Sequence, residues 1–491
     1  MADNKNQAQG KSLGTRIALI VAAAAIVCIA HFIPCPEGLT YAGKMAIGLM
    51  VAGIVLWVTE PVPMAISGLV IMVMVPMFGI SPYNNATDAA TGAMTLGIWA
   101  NFISNVIFFI LASFGITSAL LKTKVPAKIV FSLMKLTKGN AKTTVLMFMI
   151  ATGVVSAFVS NLPCAALFAG IAMSNVIELE QKNAGADTKH TKNLGKALMI
   201  GIPYAAIMGG MITPAGSALN IMTINMLRNA TDGVASIAFL DWVIMCAPIA
   251  IVLLFVAWAS VVLVFKTDRI SDATVAAIRE SGASIGKLDA FDWKALVIIL
   301  GMIAAWIASN WTGWDATAIA VIGMALFFLP GIDVLNWKEF VSSVQWNIVL
   351  LIGCVQSIAG GIKDSGAAAW IFSSTVGKIG ASATALVAAV AVVLPLLHLI
   401  VPVGPAIIAV SIFPLAGMAP ALGASPVTFA IIIAYNANAS FLLGVDSCNM
   451  MTYKYNQWTM KDFVVAGIIP TVAMVLLHTF ALAPLVAMVG Y

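Results

Sequence analysis

Apolar residues run along this chain in blocks long enough to cross a bilayer, with polar positions between the blocks or, at a few places, at their centres. No Lys or Arg occurs from Met45 to Leu121, or from Ile379 to Tyr453. A spanning helix needs about 20 apolar residues, so each interval crosses or enters the membrane repeatedly. The pattern predicts helices near 17–33, 42–60, 63–80, 94–121, 197–227, 238–265, 293–309, 316–331, 345–375, 426–452 and 463–489. Two further segments, 143–177 and 383–419, are too long for one comfortable crossing, and each is interrupted centrally.

Loop charge decides how the first interrupted segment runs. Residues 122–142 hold six lysines and no acid, and residues 178–196 hold Lys182, Lys189, Lys192 and Lys196. The positive-inside rule places both loops in the cytoplasm. A single crossing between them would put one outside, so 143–177 is expected to enter and leave on the same side, as a re-entrant hairpin with its tip near Ser160. The loop 266–292, with Lys266, Arg269, Arg279 and Lys287, is then cytoplasmic as well. The expected fold is an all-α polytopic membrane protein of eleven transmembrane helices plus two re-entrant hairpins, with the N-terminus inside and the C-terminus outside.

Composition agrees. Of 491 residues 61% are apolar and 9% charged, and mean hydropathy is +1.02, whereas a soluble domain is about 25% charged. Lys5, Lys11 and Arg16 precede the first apolar run, which is longer than a signal-peptide core and lacks a small-residue cleavage site. It reads as a retained helix. The six cysteines form no CxxC pair and sit mostly among apolar residues, as packing rather than a disulfide frame or metal site. The formal charge of +5 reflects lysine-rich loops and reports orientation, not a nucleic-acid partner.

The chain repeats itself. "NVIFFILASFGITSALLK" from Asn105 is similar to "NIVLLIGCVQSIAGGIKDSG" from Asn347, and each is followed by a hairpin and then an interrupted helix. Those helices contain "GGMITPAGSALN" (209–220) and "NASFLLGVDSCN" (438–449). An odd number of crossings separates the copies, so the halves are inverted, the pattern of secondary transporters. Non-helical backbone at membrane depth survives where it lines a cavity or is buried in protein. Its exposed N–H groups suit an anion and its carbonyls a cation. At the first hairpin and break, Ser156, Ser160 and Asn161 add side-chain oxygens, while Gly209, Gly210 and Gly216 permit close backbone approach. A single Ser or Asn in a bundle commonly does no more than join helices; paired breaks in both halves favour a binding role.

The second tip, "VPVGPAI" (401–407), has neither hydroxyl nor amide, and the second break carries Asp446. A carboxylate inside the membrane is a functional candidate, as a cation ligand or a proton carrier; near the surface it is an ordinary polar residue. His398 precedes the second tip and reads first as hydrogen-bonded packing, Glu60 as an interfacial cap, and Lys363–Asp364 as part of a turn. The tryptophans flank apolar segments as interfacial anchors.

At these residues the chain resembles the divalent anion/sodium symporter family, the di- and tricarboxylate transporters, over about residues 40–490. "WVTEPVPMAISGL" is similar to the family's Thr-Glu-Pro signature. "VSNLPCAALFAG" resembles its first Ser-Asn-Thr tip, with Leu162 in place of Thr. "GSALN" (216–220) resembles Gly-Thr-Pro-Pro-Asn without the prolines, and "QWTMKDFVVAGIIP" its segment before the last helix. The resemblance implies a homodimer working by an elevator motion, no cofactor beyond Na⁺ as coupling ion, and a first sodium site at Ser156, Ser160, Asn161 and Gly216. A second cation site would lie at the other pair, near Asp446. The implied anion ligands are Ser160 and Asn161 with Ser217 and Asn220, and Gly404 and Pro405 with Ser447 and Asn449. Here the second tip departs, with Gly404, Pro405 and Ala406 where Ser-Asn-Thr would stand and Ile400 in place of a sodium-binding hydroxyl.

On this reading the chain divides into a cytoplasmic tail (1–16), scaffold helices (17–92), a first repeat (93–237), connecting helices (238–335), a second repeat (336–462) and a last helix (463–491). The expected function is sodium-coupled symport of a small organic anion across the cytoplasmic membrane. The alternative is a proton-coupled carrier or anion exchanger using Asp446. No enzyme is expected: the four histidines form no HExxH, and "LGVD" offers one membrane carboxylate where an aspartyl protease needs two. A channel fits inverted hairpins less well than a carrier.

Overall fold

A computed structural model describes residues 11–87, 94–185, 188–374, 382–417 and 419–491. Lys5 and Lys378 lie outside the described residues. Apart from a two-residue ladder pairing Ala86–Thr87 with Met94–Thr95, the regular structure is helical. Among the described residues eleven helices are long and apolar enough to cross a membrane, which makes the chain a multi-pass helical membrane protein.

The number agrees with expectation but the membership does not. Asn161–Ala184, Ala383–Ile400 and Gly404–Ala421, hairpin arms by sequence, reach spanning length, while Met64–Met77, Ala316–Leu326 and Pro426–Asn438, the helix of the expected 426–452, fall short. The first hairpin is asymmetric: its outgoing arm Ala141–Ser156 stops early, and its return arm runs from Asn161 through a π-turn at Met173–Ile177 to Ala184. Periodicity locates such a hairpin but not its unequal arms.

The helices form two compact units, each discontinuous in sequence. The first comprises Met1–Phe108, Met222–Ser236 and Gln345–Ala437. Its spine is Trp346–Asp364, where small residues let neighbours approach, as membrane helices require when lipid gives no hydrophobic drive to pair. Gly68 lies against Cys354, Gly353 against Phe102, and Ser357 Oγ donates to Ile98 O at 2.8 Å. The second hairpin, Ala383–Ile400 and Gly404–Ser411, also belongs to this unit.

The second unit comprises Phe109–Ile221, Ile237–Val344 and Asn438–Tyr491. Its centre is Lys189–Ile212, almost wholly buried, with Ala141–Ser156, Asn161–Ala172 and Phe239–Val264 around it. Tyr204 Oη donates to Phe441 O (2.9 Å) and Phe463 O (3.1 Å), and Ser260 Oγ to Ala466 O (2.6 Å). Every basic loop of this unit gathers at one end. Ile270 N donates to Gly139 O at 2.9 Å, Asn193 Nδ2 to Lys266 O at 3.1 Å, and Lys122 pairs with Glu339 at 2.8 Å. The buried Glu180 carboxylate accepts from Ser271 N and Oγ, tying the end of the hairpin to the same cluster. Both ends of the first hairpin therefore lie together, as the loop charges required. Lys122 holds the Glu339 carboxyl below its ordinary range through their hydrogen bond.

Candidate functional site

The first hairpin turns over Ala157–Ser160, and Cys164 Sγ on the return arm lies 3.5 Å from Thr152 O on the outgoing arm. Ser160 is the N-cap of the return helix in extended backbone, but its hydroxyl makes no capping bond; its N–H donates to Thr117 Oγ1 at 3.2 Å. The first turn of a helix lacks intrahelical partners for its amides. Pro163 contributes none, so the amides of Asn161 and Leu162 stay open at the tip.

Beside the tip, Lys189–Ile212 breaks. Thr213 is extended, Pro214–Gly216 makes one 3₁₀ turn, Ser217 is extended again, and Ala218–Ala230 resumes the helix. Thr213 Oγ1 bonds Ala157 O across to the hairpin. The glycines are needed for contact. A Cβ on Gly216 would lie 2.6 Å from Gly210 O, one on Gly209 would run into the Gly153 carbonyl, and one on Gly210 into the Asn161 amide.

Four polar atoms converge where hairpin and break meet. Ser156 Oγ donates to Ala206 O at 2.7 Å. The Asn161 amide stands 3.2 Å from Ala206 O, 3.0 Å from Ser156 Oγ and 3.1 Å from Gly216 O. With its nitrogen facing this cluster the amide donates to all three; with its oxygen facing it, the amide accepts from Ser156 Oγ at 3.0 Å. Of the sodium ligands named from the sequence, Ser156, Asn161 and Gly216 are thus brought together, and Ser160 sits at the neighbouring cap. Ala206 O is the oxygen of this cluster that sequence reading missed, because a carbonyl inside a helix leaves no mark in residue type.

Ser217 and Asn220 sit deeper. Ser217 Oγ donates to Asn438 Oδ1 at 2.5 Å, and Asn438 Nδ2 donates to Asn220 Oδ1 at 3.1 Å. Asn220 Nδ2 donates to Gly210 O (2.8 Å) and Thr213 O (3.0 Å). Asn220 is fully buried, so its amide braces the break instead of facing an open cavity. The second break repeats the device: Asn449 Nδ2 donates to Ser440 O (3.1 Å) and Leu443 O (2.9 Å). Asn449 Oδ1 is buried with no hydrogen-bond partner among the described residues. This break also packs on the first hairpin, with Cys448 Sγ 3.8 Å from Asn161 O.

Asp446 is the N-cap of Ser447–Tyr453, its Oδ1 accepting from Cys448 N at 2.9 Å. The carboxylate thus caps this helix, and Ser447 beside it is exposed. Gly404 and Pro405 lie in the first unit, opening the helix Gly404–Ser411. There the buried His398 is hydrogen-bonded within the packing, its Nδ1 to Asn436 O at 2.5 Å. Asn436 stands four residues before Ser440 as Ala206 stands four before Gly210, so His398 makes a bond of the kind Ser156 makes in the other repeat, two residues before Ile400.

Inverted repeats, paired breaks with matching asparagine braces and an oxygen cluster at the hairpin tip are the parts of a carrier. Residues 14–489 match the family model of the sodium:sulfate symporter transmembrane region. The chain belongs to the divalent anion/sodium symporter family. It is thus a membrane transporter, not an enzyme. Among curated relatives, this symporter is 24% identical over 462 residues to the sodium-dependent dicarboxylate transporter SdcS of Staphylococcus saprophyticus, covering 90% of this chain and 85% of the relative. It is 22% identical over 351 residues to the sodium-dependent high-affinity dicarboxylate transporter 3 of Caenorhabditis elegans, covering 64% and 60%. A crystal structure of the YdaH transporter of Alcanivorax borkumensis is similar to it with a TM-score of 0.49 and 12% identity, covering 91% of this chain and 98% of that one.

Proposed function

We propose that this symporter moves a small dicarboxylate or related organic anion across the cell membrane, coupled to sodium. The oxygen cluster at Asn161 carries the reading. Ser156 Oγ, Ala206 O and Gly216 O each lie within 3.2 Å of the Asn161 amide, and their hard oxygens suit a small cation. Sodium held there adds positive charge beside the open amides of Asn161 and Leu162, and so completes an anion site at the tip. The named relatives transport dicarboxylates with sodium, which supports the same coupling here. Homodimerisation and an elevator motion belong to this proposal as the family's working arrangement. The proton-coupled reading rested on Asp446, whose carboxylate serves as a helix cap.

The test is uptake of labelled succinate into proteoliposomes, with and without a sodium gradient. Sodium-dependent uptake in the parent and its loss in Asn161→Ala support the proposal. Uptake indifferent to sodium, or unchanged in Asn161→Ala, removes it.

A further inference from the structure

The first unit contains a cavity of about 940 Å³ that the transport site above does not use. Its wall brings together Asn101, Ser104, Asn105, Asn225, Arg228 and Gln356. Amides and hydroxyls both donate and accept, so this wall suits a small ligand rich in oxygen and excludes an apolar one. The wall groups are held in place by one another. Asn225 Nδ2 donates to Asn105 Oδ1, and Gln356 Nε2 to Ser104 Oγ at 3.1 Å. Gly360 leaves room for Asn101, since a Cβ there would lie 2.9 Å from Asn101 Nδ2.

Charge selects the ligand's sign. Lys363 at the rim is already committed: its Nζ pairs with Asp232 Oδ1 at 2.6 Å and donates to Asn229 O at 2.5 Å. Asp364 accepts from Ser81 Oγ at 3.0 Å. Arg228, exposed in the last turn of Ala218–Ala230, has no side-chain hydrogen bond or ion pair among the described residues. A guanidinium offers a planar fork of donors matched to a carboxylate.

We propose that this cavity is a capture site, in which Arg228 and the wall amides bind a small carboxylate without sodium. The proposal rests on the reading of the chain as a carboxylate carrier. Its binding step is separable from coupling, because no group of the Asn161 cluster lines the cavity.

The experiment introduces Asn229→Cys at the rim, with Cys28 and Cys35 changed to Ser, and follows labelling by a membrane-impermeant thiol reagent in sodium-free buffer. Succinate is the probe, and succinamide, its neutral analogue, is the control. Succinate is expected to slow labelling by roughly threefold or more, succinamide not at all, and Arg228→Gln to abolish the protection. In the chain without the cysteine, Arg228→Gln is expected to raise the KM for succinate uptake about tenfold with maximal rate retained, since uniform binding is lost. Absence of protection in the parent, or equal protection by succinamide or in Arg228→Gln, overturns the capture site. Protection that persists while uptake proves independent of sodium refutes the coupling proposal alone and leaves the capture site standing.

Discussion

Ser156 and His398, each bonded to a carbonyl of an interrupted helix, differ in what they can offer an ion. Ser156 Oγ donates to Ala206 O while keeping lone pairs toward the Asn161 cluster. Replacing it by Ala leaves a buried carbonyl without its donor, which costs about 1–3 kcal/mol. The expected outcome of Ser156→Ala is a lower melting temperature together with a raised KM for sodium in uptake. Asn161→Asp separates charge from geometry: it keeps an oxygen at the cluster and adds a negative charge. It is expected to tighten sodium and weaken the dianion, measured as opposite shifts in their half-saturating concentrations. His398 holds Asn436 O as Ser156 holds Ala206 O, but with an imidazole where an hydroxyl would leave oxygen lone pairs for sodium. His398→Ser is therefore expected to increase the Hill coefficient for sodium above the parent's, checked by uptake against sodium concentration.

Helix breaks hold only if their freed carbonyls find partners, since an unsatisfied backbone group in an apolar setting is costly. Asn220 and Asn449 supply those partners, each bonding two carbonyls of its own break. Asn220→Ala removes both bonds and the oxygen that accepts from Asn438 Nδ2, and is expected to destabilise the second unit by about 2–4 kcal/mol. Thermal unfolding in detergent reads this; an unshifted melting temperature would show that water restores the bonds. Gly209→Ala forces apart two backbones that touch at Gly153, at a cost of about 1–3 kcal/mol for overpacking. Its uptake is expected to fall further than its stability, because the same displacement opens the Asn161 cluster.

For the molecule as a whole, linkage provides the test: a ligand that binds only the folded chain raises stability by about 2.7 kcal/mol at a hundred times its dissociation constant. Succinate and sodium together are expected to raise the melting temperature by more than the sum of their separate effects. Additive shifts would mean that the ion and the anion bind independently. Much of this protein is written in its order of residues. Uncharged runs mark the membrane segments because burying charge in lipid is prohibitive, and lysine-rich loops force 143–177 to return to the end it left. "SNLP" and "GSALN" mark the first hairpin tip and break because Ser, Asn, Pro and Gly interrupt helices for identifiable steric reasons. What residue order could not reveal is where backbone atoms meet. The carbonyl of Ala206, the bracing roles of Asn220 and Asn449, the capping role of Asp446 and the kinship of His398 with Ser156 all depend on contacts between segments far apart in the chain. A carbonyl is the same in every residue, so only the packed helices determine which of them turn toward an ion.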